Sequence, residues 1–164
     1  MRVTINLNLL LDFFLTFAAF EFALKTAGFI KKGRPVLEGT AHIVQADWER
    51  FIIELRGIFR SDHSPELLEA CNRILDNPPW REITTGDELL WDATAENPQL
   101  PEVDRLLKYV RRIRNNLFHG GKFVNMPVLD LRRNAGLLSD ALIILKECLR
   151  LSHKVRGEYE SAIL

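Results

Sequence analysis

Glu102-Val103-Asp104-Arg105-Leu106-Leu107-Lys108-Tyr109-Val110-Arg111-Arg112-Ile113-Arg114-Asn115-Asn116-Leu117-Phe118-His119-Gly120-Gly121 reads as one amphipathic helix closed by glycine. Val103, Leu106, Leu107, Val110, Ile113 and Leu117 recur at helical period, and Pro101 stands just before the first turn. Gly120 and Gly121 end the pattern, because glycine takes the left-handed conformation that closes a helix. The same end collects an arginine, an amide and a histidine in Arg114, Asn115 and His119. His119 falls in or beside the last turn, where the negative end of the helix dipole favours a protonated imidazole. Residues four apart share a helix face, so Asn115 is placed to hold one ring nitrogen of His119. Arg114 sits about 140° from His119 around the axis at 100° per residue. The two reach one phosphate only if the last turn is distorted or if two facing copies share the site. Sharing is the preferred expectation.

Outward from this helix the chain continues in the same manner. A first helix is expected from near Leu7 to Ile30, with Leu10, Phe13, Phe14, Phe17, Phe20 and Leu24 on a broad apolar face and Glu21 paired with Lys25. So many phenylalanines on one helix suggest burial on more than one side, including packing on a second copy. A second helix fits Ala46 to Phe59. A third starts at Pro65, with Ser64 as its cap, and ends near Leu75 before Asn77-Pro78-Pro79. The segment from Trp80 to Pro101 reads poorly, with a short helix expected from Asp87 to Ala95 and packing roles for Trp80 and Trp91. A last helix is expected from about Leu129 to Tyr159, repeating Leu131, Leu138, Leu142, Leu145, Cys148 and Leu149. No repeat and no strand signal longer than a few residues appears. The expected class is all-α: an up-and-down bundle of four to five main helices with a short irregular insert before the motif helix, forming one domain over residues 1–164.

The composition fits one ordinary soluble domain: 164 residues, 47% hydrophobic and 27% charged, enough for a core of its own. A formal charge of zero provides no global field toward nucleic acid, so any such attraction must come from local clustering. Lys108, Arg111, Arg112, Arg114 and Lys122 form such a cluster with no acid between them, and Arg132 and Arg133 follow. Cys71 and Cys148 are expected to be buried free thiols of an intracellular protein. His42, His63 and His153 have no Cys or His partner at ligand spacing, so neither zinc nor another cofactor is expected. The apolar run from Leu9 to Phe20 is interrupted by Asp12 and followed by Glu21 and Lys25. It is expected to be mature structure in the cytoplasm, with no membrane partner.

The Arg-Asn-x-x-x-His pattern of Arg114, Asn115 and His119 resembles the HEPN superfamily, the higher eukaryotes and prokaryotes nucleotide-binding domains. The run Phe20-Glu21-Phe22-Ala23-Leu24-Lys25-Thr26-Ala27-Gly28 at the end of the first helix also looks like this family. The resemblance covers the architecture of most of the chain, apart from the segment between about Asp76 and Pro101. It implies a helical bundle, a motif near the end of a late helix, and a metal-independent endoribonuclease site formed where two protomers meet. Many members are toxins of toxin–antitoxin pairs or antiviral effectors, so RNA, a second copy and an antitoxin such as a nucleotidyltransferase are the implied partners. Arg114, Asn115 and His119 would be catalytic, and Arg111, Arg112 and Lys122 would hold substrate phosphates. Polar residues of the first helix reach the site in some relatives, which makes Glu21 a further candidate, although pairing with Lys25 is the plainer reading. Tyr109 is expected in the core or at its rim. The alternative is a non-catalytic HEPN-like module that binds a nucleotide or a partner protein, or serves only for dimerisation.

Overall fold

A computed structural model describes residues 6–36, 40–118 and 131–163, without the side chains of Leu89, Phe118 and residues 131–134. Within these residues the fold is mostly helical, with six helices and two antiparallel hairpins. The hairpins correct the all-α expectation.

Helix α1 (Leu7–Thr26) starts at Asn6, whose side chain accepts the Leu9 N–H at 3.1 Å. It stops short of Ile30 because Gly28 turns left-handed, with φ of 91°. The Gly28 N–H then reaches the Lys25 carbonyl at 3.1 Å and the Phe29 N–H reaches Leu24 at 2.9 Å, the paired bonds of a Schellman closure. Strands β1 (Ile30–Pro35) and β2 (His42–Ala46) follow, with Ile30 opposite Ala46. Helix α2 (Trp48–Leu55) is shorter than expected and is capped by Asp47, which accepts the Arg50 N–H at 3.1 Å. A short 3-10 turn at Ser61–His63 leads to α3 (Pro65–Asp76), which begins as expected with Ser64 accepting the Leu67 N–H and Pro65 in the first turn.

Where a short helix was expected from Asp87, β3 (Arg81–Thr85) and β4 (Glu88–Asp92) instead form a hairpin. Thr85 pairs with Glu88 across a two-residue turn, and Gly86 supplies the positive φ of 70° that such a turn requires. Helix α4 (Glu102–Phe118) is the motif helix. The expected single last helix is two, α5 (Leu131–Leu151) and α6 (His153–Ile163). They part at Ser152, whose Oγ accepts the Val155 N–H at 3.4 Å and competes with a continuous helix.

Helix α1 packs on α5 and α6, α3 packs on α5, and α4 meets α2, α3 and α5. The core between them includes Phe13, Phe20, Leu24, Trp48, Phe51, Leu106, Val110 and Ile144. Full burial of each such apolar side chain is worth about 1.5–3 kcal/mol. Two buried carboxylates tie helices together: Asp104 of α4 accepts Arg56 at 2.6 Å, and Asp140 of α5 accepts Arg73 of α3 at 2.7 Å. Cys71 and Cys148 are free and buried, as expected, and burial pushes both thiols up, Cys71 to about 12.

The outer side of α1 is apolar as well. Leu7, Leu11, Leu15 and Phe22 are each more than half exposed, while Phe13, Phe17 and Phe20 on the other side lie in the core. By length and composition alone this helix is long and apolar enough to cross a membrane.

Candidate active site

The apolar stripe read from the sequence sets the rotation of α4. Val103, Leu106, Leu107, Val110 and Ile113 are buried, and Tyr109 joins them in the core. With that face fixed, Arg111 and Arg114 emerge toward α1 and α2, whereas Lys108, Arg112, Asn115 and Asn116 emerge beside the β3–β4 hairpin.

Aromatic rings underlie the first pair. Phe20 stacks on Trp48 with centroids 5.3 Å apart, and Phe17 stacks on Trp48 at 5.5 Å. The Arg114 guanidinium lies over the Phe17 ring at 5.6 Å and that of Arg111 over Trp48 at 5.8 Å. Glu21 stands between them. Its Oε1 accepts the Trp48 indole N–H at 3.0 Å, and its Oε2 faces the Arg114 guanidinium at 3.8 Å. Glu21 therefore reaches the motif from α1, in place of the expected pairing with Lys25. Arg114 also donates to Asn115 Oδ1 at 3.0 Å. Its side chain remains about one-third exposed, at 34%, so a phosphate can reach it from solvent.

The second pair of directions leads to the insert. Arg112 is only 11% exposed and donates to Glu96 and to the Pro79 carbonyl, the latter at 3.0 Å. Burial pulls its guanidinium below the ordinary value, with Glu96 acting in the opposite direction. The expected phosphate-binding Arg112 is thus built into the fold as the clamp of the insert. Tyr109 Oη accepts the Glu96 N–H at 2.7 Å, and Asn116 Nδ2 donates to the Trp80 carbonyl at 2.6 Å, adding two more fastenings.

Each described cation of the basic stripe meets a carboxylate from another element. Lys108 and Arg112 share Glu96, Arg111 lies 3.8 Å from Glu49, and Arg114 lies 3.8 Å from Glu21. The helix that reads as a positive stripe is locally close to neutral here, a feature that single-segment charge counting misses. His119 and Lys122 lie outside the described residues, as does the Gly120-Gly121 closure. Arg132 and Arg133 fall on α5, with side chains outside the description.

Between β3 and α4 opens a cleft of about 380 Å³. Lys108, Arg111, Arg112, Asn115 and Asn116 line it from the helix, Arg81 and Glu82 from the hairpin, and Glu96 from the segment between hairpin and helix. Arg111 and Asn115 therefore border both the cleft and the aromatic-floored site. The chain matches no protein-family model, no curated protein and no solved structure.

Proposed function

We propose that the chain is a metal-independent endoribonuclease of HEPN type that acts as a homodimer, in the service of a toxin–antitoxin or antiviral defence system in the cytoplasm. The observation that carries this reading is the last turn of α4, where Arg114 and Asn115 are in mutual contact, held against Glu21 and partly open to solvent, directly before His119 in the sequence. The helices would form the up-and-down bundle of that family, with the two hairpins added to it.

Cleavage requires three things at one phosphate. The 2′-hydroxyl must lose its proton, the phosphorane charge must be stabilised, and the leaving 5′-oxygen must gain a proton. Histidine exchanges protons near neutral pH. His119 of one protomer would take the 2′-hydroxyl proton while the 2′-oxygen attacks phosphorus, and His119 of the second would protonate the departing 5′-oxygen. The products are a 2′,3′-cyclic phosphate and a 5′-hydroxyl end. Arg114 would grip the non-bridging oxygens with its planar fork, and Asn115 would orient His119 or hold the phosphate. Arg111 and Lys122 would hold flanking phosphates, and Glu21 and Phe17 would keep Arg114 in place when no RNA is bound.

The test is RNA cleavage by the purified dimer in excess chelator. His119→Ala should abolish cleavage, and Arg114→Ala should lower the rate by about 10²–10³, the loss usual for one donor to a developing anion. Wild-type rates in His119→Ala, or a strictly monomeric active protein, would refute the assignment. One observation favours the non-catalytic alternative: the near neutrality of the α4 stripe, which weakens the field toward RNA. Nucleotide-dependent thermal stabilisation without any cleavage would support that reading instead.

A further inference from the structure

We propose that the β1–β2 ribbon is the track along which the RNA backbone reaches the α4 site, with Lys32 and Arg34 as phosphate contacts and Glu49 as the charge that interrupts it. The RNA context rests on the nuclease reading; the position of the track rests on the ribbon's own charges.

The described cations of α4 all face carboxylates, so a field that draws a polyanion has to come from elsewhere. The ribbon supplies it. Residues 30–36 and 40–46 carry Lys31, Lys32 and Arg34 and no acid, while Glu38 lies outside the described residues. Lys32 and Arg34 are exposed, and among the described residues neither forms an ion pair. They stand on a paired strand rather than a loop. Lys31 is opposite Gln45 and Lys32 opposite Val44, and Gly33 lies so close to β2 that an added Cβ would stand 2.9 Å from the Ile43 carbonyl oxygen. At the base of the ribbon, fully buried Phe29 carries two more cations on its ring, Lys154 at 4.5 Å and Arg50 at 5.6 Å. Both are exposed, and among the described residues neither is in an ion pair.

The row of cations continues into the candidate site. Glu49 lies 3.8 Å from Lys31 and 3.8 Å from Arg111, and so joins the ribbon to α4. Beyond it stand Arg111 and Arg114, with side chains 37% and 34% exposed. Glu49 is itself 59% exposed and shared between two cations, and exposed pairs of this kind are weak, so an arriving phosphate displaces it at little cost. Single-stranded nucleic acid is bound by positive surfaces that follow its backbone without reading its bases. A line of cations from an exposed ribbon to a partly exposed site fits such a chain. A planar anionic membrane would engage Lys32 and Arg34 with the exposed Ile30 and Val44, but it would leave Arg111 and Arg114 unused.

The experiment measures binding of the full chain to a fluorescein-labelled 2′-O-methyl oligouridylate by anisotropy at several salt concentrations. Its blocked 2′-oxygen prevents cleavage. Lys32→Ala/Arg34→Ala should weaken binding roughly tenfold and reduce the slope of log Kd against log salt by about 1.4, as expected for two phosphate contacts on a single strand. Lys32→Arg/Arg34→Lys, which keeps both charges, should bind as the wild type does. Glu49→Gln should bind roughly threefold more tightly, since it frees Lys31 and Arg111 for the backbone. A tighter complex is not what the loss of a merely structural side chain produces. Unfolding midpoints near wild type in all three variants confirm that the change is in recognition. Unchanged affinity and slope in the double alanine variant, no gain from Glu49→Gln, or binding only to vesicles of phosphatidylserine and phosphatidylcholine would overturn the proposal. Cleavage of unmodified RNA separates the two readings. Charge-dependent binding without cleavage of any RNA removes the nuclease and leaves the track, whereas cleavage with a KM indifferent to Lys32→Ala/Arg34→Ala removes the track and leaves the nuclease.

Discussion

Arg112 offers the sharpest division between a side chain that holds RNA and one that holds the protein together. In Arg112→Ala, Glu96 loses its closest cation, the Pro79 carbonyl loses its donor, and the Tyr109 ring loses the guanidinium 5.1 Å above it. Removing one partner of a buried ion pair costs about 3–5 kcal/mol. Here Glu96 keeps Lys108 at 3.3 Å and is 18% exposed, so its remaining charge is not isolated and about 2 kcal/mol is the better figure. The unpaired Pro79 carbonyl adds about 1 kcal/mol. The total, about 3 kcal/mol, corresponds to a fall in Tm of about 6–12 °C for a domain of this size. Thermal unfolding by circular dichroism reads it directly. A double-mutant cycle with Glu96→Ala should show a coupling of about 1–3 kcal/mol. Arg112→Lys should fall between, because one ammonium cannot reproduce the planar fork that serves two acceptors. A Tm within about 2 °C of wild type, combined with weaker RNA binding, would refute the reasoning and return Arg112 to the substrate.

Three other predictions follow from the contacts around the site and the core. The Asp92 carboxyl is held at about 2 by hydrogen bonds from Thr94 and Arg81. A depressed value stabilises above the unfolded pKa of about 3.9, and that contribution is lost as pH falls through about 2. Amide exchange at Thr94 should accelerate over that window, and Asp92→Asn should remove the dependence. Cys71 and Cys148 should both resist a thiol reagent in the native protein at pH 8 and react fully in denaturant; rapid native labelling would contradict their burial. Glu21→Ala should lower RNA cleavage roughly tenfold, as expected for one lost positioning contact of about 1.4 kcal/mol, with KM rising; an unchanged rate would mean that Arg114 needs no holder.

The start of α3 was legible because Ser64 caps it within its own turn and Pro65 follows, whereas the second helix, expected from Ala46, starts at Trp48 after the cap Asp47. The buried face of α4 was legible for the same reason: period alone fixes it. Strands were not. Ile30-Lys31-Lys32-Gly33-Arg34-Pro35 has one apolar residue and no alternation, because β1 belongs to an exposed two-stranded ribbon with no buried face to impose a pattern. The second hairpin did leave a mark in Gly86-Asp87, between Glu82-Ile83-Thr84-Thr85 and Glu88-Leu89-Leu90-Trp91, but the neighbouring prolines and tryptophans obscured it. The break at Ser152 hid inside a near-heptad leucine repeat that runs up to it. At the site, the contact of Arg114 with Asn115 is local, whereas the partners Glu21, Glu49 and Glu96 come from three other segments. No spacing rule assigns a carboxylate to a cation across a fold, which is why the basic run reads as more positive in the sequence than it is in the fold.

The contact of α1 with α6 has a consequence for how this protein is made. Leu24 of α1 and Val155 of α6 are fully buried in the same core, yet their helices lie far apart in the chain. During synthesis α1 leaves the ribosome well before α6, and the part of its apolar face that α6 covers stays open until α6 emerges. Closing so long a loop is slow, and exposed aromatic surface attracts chaperones and neighbouring chains in the meantime. Nascent chains arrested before residue 153 should therefore bind a holdase, and those extended past α6 should let it go.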